Sequence, residues 1–143
     1  MRGASEFLDR LRRLIRLYPR LARGGLDRHQ LQDLARRVAR RAGYALDVAY
    51  QPWPWPGTTQ VIGQTIAITI DDRRHPYEQL RSLAHEVGHL CLGHLREDDF
   101  WTDVDGPRSR EEDDWAEVFA SIVIDRVTPT SVYLGRDQFE LDL

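Results

Sequence analysis

Two histidines and a glutamate stand at a spacing that suits zinc chemistry, because residues 85–89 read His-Glu-Val-Gly-His. On a helix, residues four apart lie on one face, so the rings of His85 and His89 can bind the same metal ion. Glu86 then lies beside the open coordination position, where its carboxylate can take a proton from water. The pattern HExxH therefore predicts the metal site of a zinc peptidase.

The segment from Pro76 to Leu95 is expected to be the helix that positions these residues. Pro76 suits the first position of a helix, and Gly93 marks its expected end. Apolar residues recur at intervals of three and four, which indicates one buried face: Leu80, Leu83, Ala84, Val87 and Leu90. The two histidines flank this face, so we expect a partly buried site. The alternative is an ordinary amphipathic helix with two surface histidines.

A catalytic zinc site needs a third protein ligand as well as an open position. The candidates are acidic residues around the start of another apolar-periodic segment, Trp115 to Val127. Asp113 and Glu112 lie one turn before its apolar face, and Glu117 lies further round it. Geometry alone does not separate Asp113 from Glu112. We expect the remaining acids to form a solvated helix start, which the helix dipole favours.

His94 is a weaker candidate for a ligand. It lies five residues after His89, one short of the spacing at which metzincins place their third histidine. A helix that ends at Gly93 would direct His94 away from the metal. We therefore expect His94 beside the site or at the surface.

The remaining pattern predicts an α+β fold with a small antiparallel or mixed sheet of about three strands. The predicted elements are helices from Ser5 to Tyr18 and from an Asp27 cap to Ala42, and strands at 44–50, 61–62 and 65–70. The strand at 65–70 is a plausible edge along which an extended substrate can pair. Three prolines make 51–57 a loop, whose tryptophans are expected to cover the core rather than bind a partner. Residues 96–114 are expected to form an acidic loop, and 130–143 a weakly patterned tail.

Length and composition are those of one domain, residues 1–143. Within it we expect a basic N-terminal helix at 1–26, a core at 27–129 and a C-terminal tail at 130–143. No run of eighteen apolar residues exists, so no membrane span is expected. The charged N-terminus lacks the apolar segment of a signal peptide. The single cysteine, Cys91, excludes an internal disulfide and suits packing in a reducing compartment, so a cytoplasmic location is expected.

Charge is divided unevenly along the chain. Residues 1–43 contain twelve arginines against four acids, a net charge of +8, whereas residues 44–143 contain eight arginines against nineteen acids, a net charge of −11. The basic part can contact nucleic acid or an acidic partner. The simpler interpretation, which we favour, is that these arginines coat the solvent faces of two amphipathic helices.

Four features in order resemble the ImmA/IrrE-type metallopeptidases over about residues 28–129. They are a β-branched strand, an arginine-rich step, the stretch 83–90 around HEVGH, and a helix with the pattern acid-x-x-Ala-x-x-Phe-Ala. The family pattern is Glu-x-x-Ala-Asn-x-Phe-Ala, whose Glu is the third ligand, and this position falls on Asp113. The chain departs twice, since Asp replaces Glu and Glu117 stands where the family usually has Asn. Either change can move ligation to Glu112 or Glu117.

The resemblance implies a compact zincin-like domain that binds one Zn²⁺ through His85, His89 and Asp113. Glu86 would take a proton from the bound water and return it to the leaving amine of a cleaved peptide bond. The implied substrate is a helix-turn-helix transcriptional repressor, cut in a stress response or in mobile-element control. The alternatives are a metal-binding interaction module without proteolytic activity, and a DNA-associated regulator of a mobile element or toxin–antitoxin system.

Overall fold

The structure is a computed structural model that describes residues 3–95 and 110–125 and the backbone of residues 131–134 and 137–140. Within these residues the chain is α+β, as predicted. Its elements are α1 (Ala4–Leu17), a 3₁₀ helix (Pro19–Arg23), α2 (Arg28–Arg41), β1 (Ala45–Gln51), β2 (Gly57–Ile62), β3 (Thr65–Asp71), α3 (Pro76–Cys91), α4 (Arg110–Ile124), β4 (Ser131–Leu134) and β5 (Asp137–Glu140). None of the described helices is long and apolar enough to cross a bilayer.

A three-stranded mixed sheet of order β1-β3-β2 forms one layer of the domain. β3 runs parallel to β1, with Leu46 opposite Ile66, and antiparallel to β2, with Thr59 opposite Ile68. The isoleucines of β3 are buried in the core, whereas the residues that alternate with them, Thr65, Ala67 and Thr69, are half-buried. α3 packs against the sheet, α2 and α4. The HExxH helix is therefore held on three sides.

The prediction that residues 65–70 form an edge strand is wrong. β3 has a hydrogen-bonded neighbour on each side, so both of its edges are used. Its run of β-branched residues is the pattern of a central strand, which buries one face fully and the other in part. Among the described strands of this sheet, β1 and β2 are the edges.

Several element boundaries differ from those predicted. β2 begins at Gly57, because the buried Thr58 and Thr59 extend a strand that apolar alternation alone places at 61–62. α4 begins at Arg110, so residues 110–114 are helical and only 96–109 of the predicted loop lie outside the described residues. The tail contains an antiparallel hairpin of β4 and β5, whose four-residue strands are too short for a clear sequence pattern.

The basic N-terminal helices are amphipathic, and their apolar faces are buried. Phe7, Leu11 and Leu14 of α1 lie in the core. The predicted Asp27 cap is confirmed, since its side chain accepts from the backbone N–H of Gln30 at 2.8 Å and completes a capping box. Arg10, Arg13, Arg16 and Arg41 line a groove of about 660 Å³ between α1 and α2, in which none of the predicted site residues lies.

Asp71, at the end of β3, anchors the proline-rich loop that precedes β2. Its carboxylate is 3% exposed and accepts from Arg73 Nε at 2.9 Å, Arg74 Nε at 3.2 Å and the backbone N–H of Trp53 at 3.3 Å. Arg73 also donates to the carbonyl of Trp53 at 2.6 Å. The loop is thereby held against the end of the sheet, and the side chains of Trp53 and Trp55 are half-buried.

The hydrogen bond from Arg73 is the main reason why the pKa of Asp71 is lowered from 3.8 to about 2. A carboxyl group whose pKa is lowered on folding stabilises the fold at pH values above its unfolded-state pKa. This contribution is lost as the pH falls from about 4 to about 2. We expect Asp71→Asn to lower the melting temperature at pH 7. Near pH 2 the melting temperatures of the variant and of wild type should become equal. Thermal unfolding followed by circular dichroism from pH 2 to pH 7 measures this.

Asp47→Asn, at an exposed position of β1, is the matched control and should follow the wild-type profile throughout. A difference in melting temperature between Asp71→Asn and wild type that stays constant down to pH 2 would contradict the assigned role of the Asp71 carboxylate.

Candidate metal centre

Three side chains predicted as metal ligands converge between α3 and α4. The Nε2 atoms of His85 and His89 are 3.0 Å apart, as their spacing of four on one helix predicts. Asp113 Oδ1, from the first turns of α4, lies 3.0 Å from His89 Nε2 and 3.6 Å from His85 Nε2. The His89 side chain is fully buried, whereas that of Asp113 is 32% exposed, so the cluster lies at the edge of the core.

The donor set and its spacing suit a zinc ion. Ligand atoms about 2.0–2.1 Å from a tetrahedral zinc lie about 3.3 Å from one another. The three separations observed here fall on either side of that value. Two imidazole nitrogens and one carboxylate oxygen form a group that can hold a metal ion, and such a set leaves the fourth position open, as catalytic zinc sites do.

The structure places the two alternative acidic ligands away from this point. Glu117 Oε1 lies 2.6 Å from His85 Nδ1, the ring nitrogen on the far side from the cluster. Glu112 lines a separate cavity between α1 and the end of α3, with Phe7 and His94. The geometry therefore favours Asp113 as the third ligand.

Each histidine ring has a partner at its outer nitrogen. Glu117 contacts His85 Nδ1, and His94 Nδ1 lies 3.0 Å from His89 Nδ1. When Nδ1 carries the proton and donates it to such a partner, the Nε2 lone pair is left for a metal. His94 thus lies behind a candidate ligand and outside the metal cluster. The pKa of Glu117 is lowered to about 2, chiefly by the hydrogen bond with His85, so Glu117 is an ionised acceptor at neutral pH.

Glu86, the predicted general base, is 1% exposed and lies against β2. The hydroxyl of Thr59 donates to Glu86 Oε1 at 2.6 Å. A cavity of about 260 Å³ adjoins this carboxylate and is lined also by Gly57, Ser82 and His85. Glu86, the expected proton acceptor, and His85, a candidate ligand, therefore border the same cavity.

The comparison with known families agrees with this geometry. The sequence pattern of the peptidase M78 family, described as the IrrE N-terminal-like domain, matches residues 27–124, which is more than half of the chain. The chain belongs to this family. Comparison with the curated proteins and with the solved structures found no match. The resemblance expected over about 28–129 is confirmed, and M78 membership makes a peptidase-type hydrolase the family-level expectation.

Two contacts of this M78 domain were not predicted from the sequence. Thr59 is one of several β-branched residues in its strand, and nothing in the pattern marks it as a partner of Glu86. Arg81 donates to Glu117 Oε2 at 2.9 Å. The departure from Asn at position 117 was a signal that could have pointed to a cationic partner.

Gly88, the glycine of the HEVGH motif, lies on α3 against Ala116 and Phe119 of α4. A Cβ atom at this position would lie 3.0 Å from Phe119 Cδ1 and 3.3 Å from both the Cα and the carbonyl oxygen of Ala116. Two of these three neighbours are backbone atoms, which cannot rotate away. The two helices must therefore move apart by a few tenths of an ångström to accept a Cβ at position 88.

We expect Gly88→Ala to destabilise the fold and weaken zinc binding. Overpacking costs about 1–3 kcal/mol, which exceeds the gain of about 0.5–1 kcal/mol that alanine usually brings to a helix. The same separation withdraws Asp113 from the histidines. Urea unfolding of the zinc-free protein and zinc titration measure the two effects. Glu78→Ala, at an exposed site on α3, is the control, and wild-type stability in Gly88→Ala would contradict the packing argument.

Proposed function

We propose that this chain is a zinc-dependent metallo-endopeptidase in which His85, His89 and Asp113 bind Zn²⁺ and Glu86 is the general base. The observation that carries the proposal is the convergence of three ligand atoms within 3.6 Å of one another. A buried glutamate follows the first of these ligands in sequence. Membership of a peptidase family supports the same reaction class.

Each residue of the site has a separate role in the proposed reaction. When bound, zinc lowers the pKa of a water molecule and polarises the carbonyl of the peptide bond. Glu86 would accept a proton from water and return it to the leaving amine. Thr59 holds Glu86 by one oxygen, so that the carboxylate is oriented before substrate arrives. Glu117 and His94 keep the histidine rings turned toward the metal.

The proposed substrate is an extended segment of a protein, paired along β2. β2 is an edge of the described sheet, and its Thr59 contacts Glu86, so a strand added there would pass the general base. Pairing of this kind requires an unfolded or flexible segment. A helix-turn-helix transcriptional repressor is the proposed physiological substrate on the ground of the family resemblance alone.

Glu86→Gln tests the proposal. The amide keeps an oxygen that can accept from Thr59 but cannot take up a proton, so the variant should bind zinc like wild type. We expect it to cleave at least about a hundredfold more slowly, the usual loss for a missing general base. The assay is mass spectrometry of a mixture of unfolded peptides incubated with each zinc-loaded protein.

The control is Glu78→Gln, at an exposed site on α3, which should cleave at the wild-type rate. Zinc-loaded wild type that cuts no more than Glu86→Gln would contradict the proposal. That result would favour the metal-binding interaction module, which needs no proton acceptor.

A further inference from the structure

Arg81 stands at the centre of a chain of hydrogen bonds that ends on the ring of His85. It donates to Glu117 Oε2 at 2.9 Å, and Glu117 Oε1 lies 2.6 Å from His85 Nδ1. On its other side Arg81 donates to Asp125, which also accepts from the hydroxyl of Tyr77. The guanidinium thus joins two carboxylates, of which one contacts a candidate metal ligand.

The positions of these residues explain why the chain of contacts reaches the metal centre. Arg81 lies one turn before His85 on α3, and Glu117 lies one turn after Asp113 on α4. The contacts therefore connect the two helices that supply the ligands. The Glu117 side chain is 50% exposed, whereas that of Arg81 is 25% exposed. The two terminal nitrogens of Arg81 contact different carboxylates, those of Glu117 and Asp125.

A half-exposed carboxylate keeps one rotamer only if its surroundings hold it. Glu117 has both oxygens engaged, one by His85 and the other by Arg81. Loss of the contact to Arg81 would leave Glu117 with more rotamers, and its hydrogen bond to His85 would be populated for less of the time. The His85 ring would then lose the partner that favours a proton at Nδ1 and a lone pair at Nε2.

We propose that Arg81 is a positioning residue for the metal centre, which acts by holding Glu117 on His85. The inference rests on the proposed function, because it requires a metal at His85, His89 and Asp113. It concerns a device of this particular chain, since the asparagine usual in the family at position 117 has no carboxylate to pair with an arginine.

A double-mutant cycle on zinc affinity tests the inference. The zinc dissociation constant is measured by chelator competition for wild type, Arg81→Gln, Glu117→Gln and the double variant. We expect Arg81→Gln to weaken zinc binding about tenfold, the lower end of the range for lost outer partners of metal ligands. In the Glu117→Gln background the same change should have no further effect, because Arg81 acts only through the carboxylate.

A second readout is independent of zinc affinity. Long-range ¹H–¹⁵N spectra of the zinc-loaded protein report whether the Nδ1 proton of His85 is held in a hydrogen bond. We expect a slowly exchanging Nδ1 proton in wild type and faster exchange with water in Arg81→Gln, because the contact to Glu117 is then populated for less of the time. A role of Arg81 in stability alone would lower the melting temperature and leave this spectrum unchanged.

Arg36→Gln, at an exposed site on α2, is the matched control and should bind zinc like wild type. If Arg81→Gln does not fold, Asp125→Asn replaces it, with a smaller loss of affinity expected because Arg81 loses one of its anchors. Wild-type affinity in the Arg81 variant, or independent losses that add in the double variant, would overturn this inference alone. Wild type that binds no zinc would overturn both the inference and the proposed function.

Discussion

The close approach of α3 to α4 is the constraint on which the candidate metal centre depends. Helical spacing alone aligns His85 with His89, but the third ligand atom comes from the other helix. Gly88 allows the backbone of α4 near Ala116 to approach α3, and burial of Phe119 fixes the rotation of α4. Consecutive helix positions differ by about 100°, so only a rotation of about that size would present Glu112 in place of Asp113, and core packing prevents it.

Electrostatics then make the site suitable for a cation. The carboxylates of Asp113 and Glu117 lie close to the two histidine rings, and Glu86 lines a cavity together with His85. Arg81, on α3, is the cation beside Glu117. Neutral histidines that carry their protons at Nδ1 add lone pairs without adding positive charge. A bound dication would reduce the repulsion between the carboxylates, which is stronger in a partly buried site than in water. Metal binding would therefore lower the electrostatic energy of the carboxylates at the site.

The sequence predicted the parts of the site that depend on local spacing. The HExxH helix, its start at Pro76 and its end near Gly93 follow from periodicity and from the residues that begin and end helices. The choice between Asp113 and Glu112 could not be made, because both lie one turn before the apolar face and tertiary packing decides between them. The central place of β3 was also missed, since strand order depends on contacts that are distant in sequence. Thr59 and Arg81 belong to the same class of long-range contacts.

The central claim is that α3 and α4 together build one zinc site whose third ligand is Asp113. Native mass spectrometry of zinc-loaded wild type, Asp113→Ala and Glu112→Ala tests it most directly. Our account predicts about one zinc per chain in wild type and in Glu112→Ala, and loss of zinc in Asp113→Ala because two histidines alone hold it weakly. Zinc retained by Asp113→Ala and lost from Glu112→Ala would contradict the assignment. Wild type that holds no zinc after zinc is added would contradict the metal centre itself.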